Sequence, residues 1–157
     1  MYSKTNKMNV MKKIISYAAC LMIVTSVAAA PGSKLVQAFN ETFPNAKNVK
    51  WSDDKAGYFV SFYQNENLEK ILYNKEGEFV CSWKYSDGKE LPVNIVMTLN
   101  KKYDQAKIIG VTELTTQGNV TYDIKLNKGD KLYAVIIQSD GTITKEQKFD
   151  YQATQND

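Results

Sequence analysis

The 157-residue sequence contains no histidine and no arginine. Histidine is the usual general base near neutral pH and the commonest metal ligand, and arginine is the usual bidentate anchor for phosphate and carboxylate groups. Their absence excludes Ser-His-Asp and Cys-His catalysis, histidine-based zinc sites and arginine clamps. We therefore expect a protein that is not an enzyme and that uses neither a cofactor nor a metal.

Cysteine is also scarce, with only Cys20 and Cys81 in the chain. Cys20 lies in an N-terminal segment that we expect to be removed, which excludes a disulfide framework within the mature chain. Cys81 has no cationic neighbours in sequence that would lower its pKa, so we interpret it as a small buried hydrophobe.

The N-terminus has the pattern of an export signal. Lys12 and Lys13 precede an apolar stretch at 14–27, and small residues follow at 27–30. This order is typical of a cleavable signal peptide. We predict a signal peptide at 1–29, cleaved after Ala29.

The mature protein is then predicted to be periplasmic or secreted, with no transmembrane segment. The sequence leaves open an uncleaved anchor, lipidation at Cys20, and a start at Met8 or Met11 in place of Met1.

The net charge of +3 belongs to this leader. Four of the 20 basic residues lie in 1–29, so the remaining 16 lysines face all 17 acidic residues. Nucleic-acid binding needs a basic patch that displaces counterions from phosphate. The sequence shows no such patch, and we predict no nucleic-acid partner.

The mature chain begins with a predicted helix at 33–43. Its apolar positions follow helical spacing, with Phe39 at the centre of one stripe. Ser33 is placed to cap the helix, and Pro44 ends it. Period-two alternation then predicts four strands at 48–52, 57–63, 68–73 and 78–85, joined by short turns as in an antiparallel meander.

The same pattern then repeats. A second helix is predicted at about 92–103, followed by strands near 106–114, 119–126, 131–138 and 142–149. The two copies align with an offset of about 60 residues at their first strands and about 64 beyond a short insertion. We predict an α+β fold in which two tandem α-β-β-β-β units form one antiparallel sheet of about eight strands, with both helices on one face. The predicted domain spans 30–157, with repeat units at about 33–86 and 91–150.

Several motifs of the first unit resemble a known family. They are Phe-Pro-Asn-Ala at 43–46, Val-Lys-Trp at 49–51, Gly-Tyr-Phe-Val-Ser-Phe at 57–62 and Asn-Lys-Glu-Gly at 74–77. Together they resemble the PepSY-like periplasmic proteins of the Bacteroides group, over essentially all of 33–150.

The second unit departs from the family pattern, because Val111 stands where Trp51 would lie and Asp104 where Pro44 would lie. The resemblance implies a fold similar to that of the β-lactamase inhibitory protein, an extracytoplasmic location, and a binding or inhibitory module with no catalytic residues to transfer.

Strict alternation assigns side chains to two faces of the sheet. Tyr58, Val60, Phe62 and their counterparts are predicted under the helices. The opposite, open face is predicted to carry aromatic and aliphatic groups among lysines and hydroxyls, and such a surface could dock a partner. The alternative is that aromatics simply suit a half-exposed sheet. The predicted open face comprises Phe59, Ser61, Tyr63, Lys70, Leu72, Val80, Ser82 and Lys84, then Thr121, Asp123, Lys125, Ala134, Ile136, Thr144 and Glu146.

Within this set and its neighbours we name five candidate binding residues: Phe59, Tyr63, Leu72, Trp83 and Lys84. Trp51, Trp83 and Tyr85 are each interpreted first as packing residues. Trp83 has an additional claim to a site, because its repeat equivalent is Gln147 and no repeated packing need explains it. The adjacent carboxylates at 53–54 are interpreted as solvated turn residues, since hydrolytic pairs need converging side chains.

The function predicted from these features is that of an extracytoplasmic, non-enzymatic binding module, an inhibitor or restrainer of a secreted or envelope enzyme. Its partner would be a protein or peptide in the cell envelope. The alternative is a structural or self-associating envelope protein without a dedicated ligand. An enzyme would have to be a hydrolase that uses carboxylates, lysine or tyrosine.

Overall fold

The computed structural model describes residues 31–150, in which a helix followed by four strands occurs twice. This confirms the predicted α+β fold with tandem units. The elements are α1 (Ser33–Thr42), β1 (Lys47–Asp53), β2 (Tyr58–Gln64), β3 (Asn67–Tyr73), β4 (Phe79–Ser86), α2 (Val93–Lys102), β5 (Lys107–Thr116), β6 (Asn119–Lys128), β7 (Lys131–Gln138) and β8 (Ile143–Asp150).

The eight strands form one sheet in chain order, and every neighbouring pair is antiparallel. β4 pairs with β5 from Ser86 and Val111 at one end to Cys81 and Thr116 at the other. This pairing joins the two units, so neither unit has a free sheet edge at the junction. The edges of the sheet are β1 and β8.

The two helices begin and end in the same way. The residue before α1 is Gly32, and the Ser33 side chain makes no capping hydrogen bond, so the predicted serine cap is wrong. At the C-terminal ends, the backbone N–H of Phe43 donates to the Phe39 carbonyl oxygen, and that of Tyr103 donates to the Leu99 carbonyl oxygen. These pairs lie 60 residues apart in sequence, as the repeat requires.

Each helix covers a separate hydrophobic core on the same side of the sheet. The α1 core buries Phe39 against aromatic and aliphatic side chains of β2 and β3. The α2 core is larger and includes Ile95, while Val93 and Met97 point away from the sheet and are 76% and 66% exposed. The buried members are Phe39, Val60, Phe62 and Ile71 in the first core, and Ile95, Leu99, Tyr103, Val111, Tyr122, Ile124, Leu126, Val135 and Ile137 in the second.

Four β-bulges interrupt the alternation, and they recur at equivalent places in the two units. One extra residue lies between Lys47 and Lys50 of β1, and Ile109 is its counterpart in β5. Val80 is the extra residue of β4, and Thr144, 64 positions later, is the extra residue of β8. Each bulge adds one residue to its strand, so the side chains that follow point to the opposite side of the sheet from the one that strict alternation predicts.

Candidate binding face of the sheet

The face of the sheet opposite the helices is uncovered within the part of the chain that the structure describes, because both helices pack on the other side. We call it the open face. Its side chains line up across neighbouring strands. One such row runs from β1 to β6 through Lys50, Ser61, Lys70, Trp83, Leu114 and Thr121.

Aromatic and aliphatic side chains occupy the middle of the open face. The Phe59 ring from β2 stacks on the Trp83 indole from β4, with 6.4 Å between ring centroids and 25° between ring planes. Leu72 of β3 pairs directly with Phe59. Leu114 of β5 pairs directly with Trp83. We call Phe59, Leu72, Trp83 and Leu114 the apolar centre; all four are half-buried.

Two tyrosines flank this centre with larger exposure. Tyr63 is 43% exposed and Tyr85 is 36% exposed, and both pair with Leu68 of β3. The Lys70 ammonium lies 5.8 Å from the centroid of the Tyr85 ring, within the range of a cation–π contact. Tyr63 and Tyr85 extend the contact area of the centre toward one end of the strands.

Four of the five candidate residues thus lie together on the open face, but Lys84 does not. The bulge at Val80 places Ser82 and Lys84 on the helix side, where Lys84 Nζ donates to Glu90 Oε2 at 2.6 Å. The bulge at Thr144 has the same effect on Glu146, which pairs with Val135 of the α2 core and forms an ion pair with Lys102. The predicted placement of Ser82, Lys84 and Glu146 on the open face is therefore wrong. Val80 and Thr144, predicted there as well, have no strand partner.

Lys84 belongs instead to a charged seam between the two cores. One row of paired residues crosses the sheet on the helix side through Phe62, Glu69, Lys84, Glu113 and Tyr122. Its three charged members lie on β3, β4 and β5, between the two cores. Burial raises the pKa of Glu69, and the nearby Lys84 ammonium opposes that rise. The hydrogen bond to Glu90 raises the pKa of Lys84 and lowers the pKa of Glu90. Lys84 therefore has a structural role in the seam, where it pairs with Glu90, and it does not reach the open face.

Cys81 is buried, as predicted, on the open-face side between its strand partners Leu72 and Thr116. Burial raises the pKa of its thiol. A raised pKa keeps the sulfur protonated and poorly nucleophilic. The residue contributes packing beside the apolar centre.

Two hollows on the open face occupy repeat-equivalent positions, and sequence reasoning missed both. The first, of about 430 Å³, includes Val49, Lys50, Ser61, Tyr63, Leu68 and Lys70; we call it the basic groove. The second, of about 330 Å³, includes Ile109, Lys125, Leu132, Ala134, Gln147 and Phe149; we call it the apolar groove. Val49 and Ile109 lie at the equivalent bulges of β1 and β5, so only recognition of those bulges could have revealed the grooves.

The other residues singled out in the sequence, Trp51 and the two carboxylates at 53–54, make packing, ion-pair and turn contacts. Trp51 packs on the helix side against Phe39 and Tyr73, as predicted. Asp53 forms an ion pair with Lys75, and the Asp54 carboxylate accepts a hydrogen bond from the backbone N–H of Ala56 in the turn. Within 31–150, no three acidic or cysteine side chains are grouped as a metal site would require. Each of the two helices in this range is too short and too polar to cross a bilayer.

The chain matches no protein-family model and no curated protein, but solved structures share its fold. One is a DUF2874 family protein from Bacteroides ovatus, with a TM-score of 0.59 and 20% identity over 76% of this chain and 88% of that one. A Bacteroides eggerthii protein described as "putative periplasmic" has a TM-score of 0.60 and 18% identity, over 76% and 89% of the two chains.

A BLIP-like protein from Bacteroides fragilis, similar to the β-lactamase inhibitory protein, gives a TM-score of 0.60 with 14% identity over 80% and 91% of the two chains. The resemblance found in the sequence is therefore confirmed as a similarity of fold. At these identities the similarity defines the fold class alone, and the function has to be inferred from the site.

Proposed function

We propose that this protein is an extracytoplasmic, non-enzymatic module that binds a protein or peptide partner on the open face of its sheet. The observation that carries the proposal is the apolar centre, where Phe59 and Trp83 stack on a face that no element of 31–150 covers. Aromatic side chains at the middle of a surface are the residues that dominate binding energy in protein interfaces.

The export signal predicted at 1–29 and the fold shared with a "putative periplasmic" protein support a location in the cell envelope. The fold shared with a BLIP-like protein favours an inhibitor or restrainer of a secreted or envelope enzyme as the specific form of this function. Binding would then occur by shape and aromatic burial at the apolar centre.

The test is capture of partners from cell-envelope extract on the immobilised protein, quantified by mass spectrometry. The variant Tyr63→Ser/Trp83→Ser removes two aromatic groups of the open face. Val93→Ser/Met97→Ser removes two exposed apolar groups of α2 and serves as the matched control. We expect a captured protein to be lost with the first variant and retained with the second, both variants having first been shown to be folded by circular dichroism. Capture that is equal for both variants, or no specific capture by the wild-type protein, would refute the proposal.

Self-association through sheet edges is the rival function. The edge strand β8 is exposed over nearly its whole length, and its Phe149 is 50% exposed. Lysines on both edge strands, including Lys50 and Lys145, oppose pairing of edge with edge. Sedimentation velocity separates the two functions, because self-association predicts a stable oligomer and the binding module predicts a monomer.

A further inference from the structure

Charge is divided unequally between the two sides of the sheet. The 16 lysines and 17 acidic residues beyond the leader nearly balance. Within 31–150, six of those lysines lie on the open face with a single strand carboxylate, that of Asp123, so the helix side and the loops together carry a net negative charge. The six lysines are Lys47, Lys50, Lys70, Lys107, Lys125 and Lys145.

Most ion pairs of residues 31–150 lie off the open face. Lys84, Lys102 and Lys131 each pair with a carboxylate on the helix side or at its margin. On the open face only Lys125 is paired, with Asp123 at 2.7 Å. Within 31–150, the other five open-face lysines have no carboxylate in salt-bridge range. Their charge is available to a ligand.

Two of these unpaired charges border the basic groove. Lys50 and Lys70 pair with Ser61 from either side, so their Cα atoms are separated by two strand spacings, roughly 10 Å. Val49, Leu68 and Tyr63 line the groove with the two lysines. This combination fits a side chain that carries a carboxylate at the end of an aliphatic stem.

The apolar groove of the second unit lacks the two unpaired lysines of the basic groove. Gly110 stands at the position equivalent to Lys50, and Ala134 at the position equivalent to Lys70. Lys125, its one cation, is already paired with Asp123. Ile109 and Phe149, which are 53% and 50% exposed, are available for apolar contact.

We propose that the partner of the open face is a protein segment with acidic side chains, a carboxylate of which binds between Lys50 and Lys70 while apolar side chains cover the apolar groove. This inference rests on the proposed function and names the chemistry of the partner. A protein fits better than another polyanion because the lysines surround an apolar centre, as in the core and rim of a protein interface. Nucleic acids and sulfated glycans are bound by continuous basic tracts, in which arginine is the usual anchor.

The test uses a fluorescent oligo-glutamate peptide with an amidated C-terminus, its oligo-glutamine analogue, heparin, and vesicles of phosphatidylglycerol. Anisotropy, or sedimentation for the vesicles, gives each affinity for the wild-type protein. The groove variant is Lys50→Gln/Lys70→Gln. The control variant Lys34→Gln/Lys101→Gln removes the same charge from exposed positions on the helices.

We expect oligo-glutamate to bind and oligo-glutamine not to bind. The groove variant should weaken oligo-glutamate binding by about tenfold, the value of two partly exposed ion pairs, and the control by less than about twofold. Equal weakening in both variants, no weakening in the groove variant, or tighter binding of heparin or vesicles than of oligo-glutamate would overturn the inference.

The captured envelope partner distinguishes this failure from failure of the proposed function. If capture depends on Tyr63 and Trp83 and is unchanged in the groove variant, the binding module stands and the acidic partner is wrong. If capture does not depend on the aromatic residues, the proposed function itself fails.

Discussion

The indole of Trp83 stacks on the ring of Phe59 across the intervening strand β3, with 6.4 Å between their centroids. The two residues come from β2 and β4, and strict alternation from Phe79 would have put Trp83 on the helix side. The extra residue Val80 reverses that assignment. A single bulge therefore completes the apolar centre and at the same time places Lys84 in the charged seam.

Gly57 is predicted to be intolerant of any side chain. Its φ is +147°, and an added Cβ would lie 1.9 Å from the carbonyl oxygen of Tyr73, so the backbone of β3 would have to move. Gly118 is the matched control, with a φ of +84° and no heavy atom within 4 Å of an added Cβ. We expect Gly118→Ala to cost about 1–2 kcal/mol and Gly57→Ala to cost clearly more, measured by urea unfolding. Equal costs would show that the close approach to Tyr73 is not maintained.

Phe39 is predicted to contribute most of the packing between α1 and the sheet. It is 1% exposed, and its ring centroid lies 5.0 to 5.4 Å from those of Phe62, Phe43 and Trp51. Phe39→Ala should lower the free energy of unfolding by about 3–5 kcal/mol. Met97→Ala, at an exposed position of α2, should change it by less than about 0.5 kcal/mol. A loss below about 1 kcal/mol for Phe39→Ala would contradict the separate α1 core.

Glu69 is predicted to make the stability of the protein depend on pH. Burial raises its pKa above the usual 4.5, so the folded protein holds this proton more tightly than the unfolded chain does. The stabilisation from protonation is present at low pH and is lost as the pH rises through the folded-state pKa.

Glu69→Gln keeps the side chain neutral, so its stability advantage over the wild type should grow as the pH rises from near 4.5 to 7. Urea unfolding at a series of pH values measures this difference, with the exposed Glu76→Gln as the control for loss of a surface carboxylate. A difference for Glu69→Gln that is constant or shrinks with rising pH would contradict the charged seam.

The repeat made most of the fold predictable from sequence. Helical spacing around Phe39 and period-two alternation around Val60 and Ile124 located the elements and their order, because the buried face of each element leaves a periodic pattern. The bulges left no such pattern. One added residue preserves the local composition and changes every later side-chain direction, which is why Lys84 and Glu146 were misplaced.

The candidate site was predictable only in part, for the same reason. Phe59, Tyr63 and Leu72 lie in β2 and β3, which pair without interruption, and alternation placed them correctly. Val49 and Ile109 lie at bulges, and the grooves beside them could not be seen before the register was known.

The fluorescence of Trp83 gives the most direct test of binding at the open face. The chain has two tryptophans, so Trp51→Phe leaves Trp83 as the reporter of that face and Trp83→Phe leaves Trp51 as the reporter of the α1 core. Acrylamide quenching is measured for each variant with and without the partner captured from envelope extract. We predict that the partner protects Trp83 from quenching and leaves the quenching of Trp51 unchanged. Unchanged quenching of Trp83 at saturating partner would contradict binding at the open face.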